Sequence, residues 1–178
     1  PVGICGSGIL DVVAELLESG QIDKTGRFTG KLIRQVERDR GGAFVLVPRE
    51  ESGTGEDILV ERADIREIQL AKAAIRAGVE ALLRATSTKI KEIDHFIIAG
   101  AFGTYLHIDS AIRIGMFPTL PRRRFTQIGN AAGAGAQQML ISQPGRLEAE
   151  TIVKRMSYLE LTTDPGFSES YIDSMLFE

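Results

Sequence analysis

One stretch near the middle of the chain constrains its fold most: Ile93-Asp94-His95-Phe96-Ile97-Ile98-Ala99-Gly100-Ala101-Phe102-Gly103-Thr104. The apolar run Phe96-Ile97-Ile98 is short and runs towards Gly100 and Gly103, which predicts a buried strand leading into a turn of small residues. A strand that ends in glycines lets backbone approach a ligand where a side chain would stand in the way. The same pattern also serves an ordinary core strand with a tight exit. A second glycine-rich turn further on, Gly129-Asn130-Ala131-Ala132-Gly133-Ala134-Gly135-Ala136, favours the ligand-facing alternative.

The rest of the chain supplies partners for that strand. Gly6-Ser7-Gly8 precedes apolar positions 9, 12, 13, 16 and 17, whose helical spacing predicts a helix with Ser7 as its N-cap and Gly20 as its stop. Free N–H groups at such a start suit an anion, so Gly6, Ser7 and Gly8 fit a helix cap and a phosphate cradle equally. Residues 21–42 are polar and dotted with glycine and read as loop, with a helical turn near Leu32-Ile33. Phe44-Val45-Leu46-Val47 and Ile58-Leu59-Val60 flank turn-forming residues 51–57, a hairpin pattern.

Asp64-Ile65-Arg66-Glu67 matches a capping box and opens a long helix to about Arg84. Ile68, Ala71, Ile75, Val79 and Leu82 are expected on its apolar face, with Lys72, Arg76 and Glu80 on another. After the central strand, residues 108–115 read as a short helix stopped by Gly115 and Phe125-Thr126-Gln127-Ile128 as a strand. Residues 129–141 follow as a helix of small residues capped by Asn130. The alternation of strand and helix predicts an α/β fold with parallel neighbours. The tail reads as a helix at 146–156, a strand at 159–161 and a closing helix at 166–176.

Composition narrows the chemistry. A chain of 178 residues with net charge −3 has no broad basic face for nucleic acid. The one basic run, Arg122-Arg123-Arg124, fits a solvated loop or a docking contact for an acidic partner. The single cysteine, Cys5, can form no internal disulfide and cannot hold an iron–sulfur cluster or zinc alone. His95 and His107 are too scattered to predict a metal site, and no run reaches membrane-spanning length, so cytoplasm is the default. There is no P-loop lysine and no G-x-S-x-G setting for Ser7. A start at Pro1, directly before a glycine-rich turn, suggests a piece of a longer protein.

Ile98-Ala99-Gly100-Ala101-Phe102-Gly103 resembles the adenosine motif of the actin-like ATPase (ASKHA) superfamily, and 129–136 resembles its second connecting helix, where small residues meet at a hinge. More narrowly, three motifs occur in the same order in the C-terminal domain of the reductive activators of corrinoid proteins. They are Gly3-Ile4-Cys5-Gly6-Ser7-Gly8-Ile9-Leu10-Asp11, the helix start Asp64 to Ile75, and Ala99-Gly100-Ala101-Phe102-Gly103. The resemblance spans about residues 2 to 142, and the tail is less diagnostic.

It implies an RNase H-like subdomain with a mixed sheet flanked by helices over 1–142, and a packed C-terminal extension over 143–178. It implies ATP with magnesium, with Gly100, Ala101, Phe102 and Gly103 beside adenosine. Gly6, Ser7, Gly8, Gly129, Asn130 and Gly133 are left for a phosphate contact or a hinge. The full-length family protein passes an electron from an N-terminal ferredoxin-like 2Fe–2S domain to the cobalt of a corrinoid iron–sulfur or methyl-carrier protein. The cluster cysteines are absent here, so no cofactor is expected in this stretch alone. Other readings within the superfamily are a small-molecule kinase and an activator of a radical acyl-CoA enzyme; a non-catalytic interaction domain is a further one. The alanine-rich faces of 71–78 and 131–136 suit close packing, either within the chain or across a homodimer.

Overall fold

A computed structural model describes residues 1–30, 34–36 and 42–178. In chain order its elements are α1 (Gly6–Glu18), β1 (Gln35–Val36), β2 (Ala43–Val47), β3 (Ile58–Glu61), α2 (Arg62–Thr86), β4 (Phe96–Ala99), α3 (Ala101–Tyr105) and α4 (Ile108–Arg113). They continue with β5 (Phe125–Gly129), α5 (Ala131–Ile141), α6 (Gln143–Val153) and α7 (Pro165–Asp173). The fold is α/β as expected, and among the described residues its strands form two small sheets, one antiparallel and one parallel, flanked by helices. β1, β2 and β3 are antiparallel neighbours, while β4 and β5 pair in parallel. The parallel pair needs the crossover that α3 and α4 supply.

β2 and β3 form the expected hairpin, with Phe44 opposite Val60. Within 21–42, expected as loop, Ile22 bridges Phe28 and β1 pairs with β2. A two-residue strand carries too little alternation to be seen in sequence. The turn expected at Leu32-Ile33 lies outside the described residues.

The core forms where α1 and α4 meet: Leu10, Val13 and Leu16 pack with Ile108 and Ile114. It continues to β4 and β5 through three rings. Phe96 lies 4.9 Å from Phe117 and 5.1 Å from Phe125, centroid to centroid. Such pairs add about 0.5–1.5 kcal/mol beyond the area they bury. β4 is half-buried rather than buried: Phe96 and Ile98 face the core, while Ile97 is 60% exposed. In a two-stranded sheet the core covers one face, and alternate side chains point away from it.

Helix starts differ from expectation in three places. α1 is capped by Cys5, not Ser7: the Cys5 sulfur accepts from the Gly8 amide at 3.3 Å, and Ser7 sits in the first turn. α2 begins before Asp64, because Arg62 and Ala63 already favour helix; Glu61 is its N-cap. Asp64 closes the capping box by accepting from the Glu61 amide at 2.8 Å, the part expected of Glu67. The Asn130 cap of α5 is as expected, accepting from the Gly133 amide at 3.0 Å. In the tail, 159–161 is no strand. The Glu160 carboxylate accepts from the Thr162 amide and hydroxyl, and Leu161–Thr163 is a 3-10 turn. α6 starts earlier than expected because Ser142 caps it, and α7 ends at Asp173.

The largest difference concerns which face of α2 is covered. Ile75 and Leu82 are exposed, whereas Lys72, Ala73, Ala77 and Ala81 are buried. α7 and the last residues lie along this polar and small-residue stripe. Gln69 donates to the Met175 carbonyl at 3.0 Å, Lys72 donates to the Leu176 carbonyl, and Arg84 donates to the Ser170 hydroxyl at 2.8 Å. Arg76 reaches Glu80 at 3.0 Å and Glu178 at 3.4 Å. The Leu176 carbonyl solvates the lysine, so a charged stripe can face inward.

Burial of Lys72, 1% exposed, pulls its ammonium down to about 8, only partly offset by Glu178 and further lowered by Arg76. A base depressed in the folded state binds fewer protons there than when unfolded, so this group raises stability as pH climbs from about 8 towards its unfolded value. Stability by urea denaturation is expected to gain about 2 kcal/mol from Lys72 between pH 7 and pH 9.5. The Lys72→Met variant should lose that slope; an unchanged slope would show that Lys72 is solvated in the native state.

Candidate functional site

The C-terminal ends of β4 and β5 carry the two glycine-rich turns. In open parallel α/β sheets this is the edge where ligands bind. The two turns are joined by backbone: the Gly100 amide donates to the Gly129 carbonyl at 2.7 Å. Gly100 has φ 100° and ψ 154°, a conformation essentially restricted to glycine. A Cβ built there would meet nothing within 4 Å. The backbone at Gly100 therefore borders open space.

The residues after Gly100 form helix α3 rather than a simple turn. Gly103 is buried against the strand it follows, and a Cβ there would fall 2.6 Å from Ile98 Cγ2. The Phe102 ring is 53% exposed and leans over α1, where a Cβ on Gly6 would come within 3.2 Å of it. Thus Gly6 meets the 100–103 segment through Phe102, and that segment meets Gly129 through Gly100. At the third group, Gly129 takes φ 63° and Asn130 starts α5. A Cβ on Gly133 would fall 2.5 Å from the Asn130 side-chain nitrogen, so this cap itself requires the glycine.

Three contributors escaped sequence reasoning. Gln127 donates to the Gly103 carbonyl at 2.5 Å and to the Leu106 carbonyl at 2.8 Å, tying α3 to β5. Its signal was a polar residue at the strand position that shares a face with Phe125. Thr104 donates to the Gly100 carbonyl at 3.4 Å. Cys5, read only as an isolated thiol, is the α1 cap.

The Cys5 thiol is pulled below its usual value, first by the Ser7 hydroxyl and then by the Gly8 amide, both of which favour thiolate. The pH midpoint of its alkylation by iodoacetamide is expected below that of a free cysteine, and Ser7→Ala should move it upward. A midpoint insensitive to that change would mean the hydroxyl does not face the sulfur.

The parallel β4–β5 pair, its helices and the glycine turns at its edge define the class as an α/β domain. More particularly, the family described as the C-terminal domain of RACo, the ASKHA domain, matches residues 1–178, and the chain belongs to it. The match runs through the tail, which the sequence motifs did not reach. The chain is similar to the corrinoid activation enzyme RamQ of Eubacterium limosum, 36% identical over 99% of this chain and 31% of that protein. It is similar to the Co(II) methylated amine-specific corrinoid protein reductase of Methanosarcina barkeri, 25% identical over 96% of this chain and 28% of that one. A solved structure, the reductive activator for corrinoid, iron-sulfur protein, matches with a TM-score of 0.89 at 38% identity, covering 98% of this chain and 28% of its own. The chain thus spans less than a third of the length of these relatives. No helix among the described residues is long and apolar enough to cross a membrane.

Proposed function

We propose that this chain is the C-terminal, nucleotide-binding part of an ATP-dependent reductive activator of a corrinoid protein. Gly100, Ala101, Phe102 and Gly103 form the adenine-side wall of its site. The observation that carries this is the open backbone at Gly100, held at the C-terminal edge of the parallel strands by its bond to Gly129. Gly6, Ser7, Gly8, Gly129, Asn130 and Gly133 lie on the phosphate or hinge side. Residues 1–142 make the ATPase subdomain and 143–178 its extension.

ATP, taken with magnesium, supplies free energy for a reduction that is otherwise uphill. A 2Fe–2S cluster does not fit the donors of this chain, which has one cysteine where such a cluster needs four protein ligands. The electron source therefore belongs to another part of the protein. The role of this chain is to bind nucleotide and present a surface to the corrinoid protein, and a cytoplasmic location goes with it.

The test uses the longer protein that contains this chain. With a chemically reduced electron donor, conversion of Co(II) to Co(I) in a corrinoid protein is followed by absorbance, with and without MgATP. Reduction that depends on ATP is the expected result. Reduction at the same rate without nucleotide, or no nucleotide binding by calorimetry, would sink the proposal.

A further inference from the structure

The end of the β4–β5 sheet opposite the glycine turns has a distinct chemistry. A cavity of about 880 Å³ opens there, with Leu83, Ile90, Leu120 and Pro121 among its lining. Two 3-10 turns, Ile90–Glu92 before β4 and Arg122–Arg124 before β5, build its side. Arg124 locks them together by donating to the Lys91 carbonyl at 2.8 Å and the Ile93 carbonyl at 2.7 Å. Lys89, Lys91, Arg122 and Arg123 are exposed around this clamp, and none has an acidic partner among the described residues.

Glu80 pairs with Arg76, Asp164 pairs with Arg84, Glu92 accepts from the Lys89 amide, and the exposed Asp94 forms no ion pair with any of the four. A chain of net charge −3 therefore gathers unpaired positive charge on the rim of an apolar cavity.

We propose that this surface docks an acidic segment of the corrinoid protein, with an apolar side chain entering the cavity between the basic turns. This rests on the partner assigned under the proposed function. Charge complementarity selects the occupant: the positive rim steers an acidic surface, and the cavity lining gives it an apolar anchor. A polyanion such as DNA needs a longer basic track and meets the negative charge of the rest of the chain. At about 3.3 Å per strand residue, the rim and the Gly100–Gly129 edge lie roughly 20 Å apart. The partner and the nucleotide therefore occupy opposite ends of the same two strands and do not exclude each other.

The test is a charge-reversed variant of the longer protein, Lys89→Glu, Lys91→Glu and Arg123→Glu together, on turns where all three side chains are exposed. Binding to the corrinoid protein is measured by calorimetry at two salt concentrations, and ATP binding is measured alongside. The expected result is a Kd raised at least about tenfold at low salt, a flatter salt dependence and unchanged ATP affinity. A partner that binds the variant as tightly as the wild type overturns this docking surface and leaves the nucleotide assignment standing. A wild type that binds ATP but no corrinoid protein overturns the partner assignment and this surface with it. Tight binding of a labelled DNA duplex by the wild type, lost in the variant, overturns the protein occupant in favour of nucleic acid.

Discussion

Gly100→Val in the longer protein is expected to lower ATP affinity by at least about 100-fold, equivalent to some 2.7 kcal/mol, while the domain still folds. Both halves of that outcome come from the geometry at one residue. Gly100 sits at φ 100°, so a side chain there strains the backbone, at a cost of order 1–3 kcal/mol. No atom lies within 4 Å of an added Cβ, so no clash adds to that strain. The new methyl groups instead enter the space assigned to the base.

Gly103 differs in kind, because its Cβ would strike Ile98, and substitution there would confuse folding with binding. The better control is Gly78→Ala. Gly78 lies within α2, nothing surrounds its Cβ position, and alanine there should add up to about 1 kcal/mol of stability. Its ATP affinity should match wild type. Calorimetric titration and a urea melt on each variant separate the two effects. Unchanged affinity in Gly100→Val would remove adenosine from this edge.

The parts legible in sequence were those that local rules determine. The β2–β3 hairpin followed from two apolar runs around turn residues, and the Asn130 cap from a side chain whose role is settled within three residues. The parallel pairing of β4 with β5 followed from the intervening helical segment. The glycine positions were legible as candidates, but their separate tasks were not. Gly100 borders open space, Gly103 clears Ile98 and Gly133 makes room for Asn130, and these distinctions depend on neighbours that sequence does not name. Cys5 was missed as a cap because sulfur is a weak acceptor and Ser7, two residues on, is the commoner choice.

The polar stripe of α2 was misread for a different reason. Helical periodicity sorts residues by hydrophobicity and assumes that charged faces meet water. Lys72 meets instead the carbonyl of Leu176, more than a hundred residues later, a contact no local pattern carries. Alanines 73, 77 and 81 gave the better clue, since a row of small side chains leaves room for a segment to lie close.

That docked segment supplies the largest expected loss of stability. Phe177 is 2% exposed, its amide donates to the Lys24 carbonyl at 2.9 Å, and its ring lies 5.4 Å from the Lys72 ammonium nitrogen. Phe177→Ala removes a buried ring and leaves a cavity at the place where the tail closes over the lysine. Buried phenylalanine-to-alanine changes cost about 3–5 kcal/mol, and loss of the cation–π contact adds to that. The expected result in urea denaturation is a destabilisation in this range, with the alkaline gain assigned to Lys72 reduced as water reaches its ammonium group. Phe177→Leu, which keeps apolar volume, should recover about half of the loss and most of the alkaline gain. A loss below about 1 kcal/mol, the size of an ordinary surface change, would show that the tail leaves α2 in solution. In that case the Lys72 slope should vanish from the unmodified protein as well, because one displaced segment would account for both.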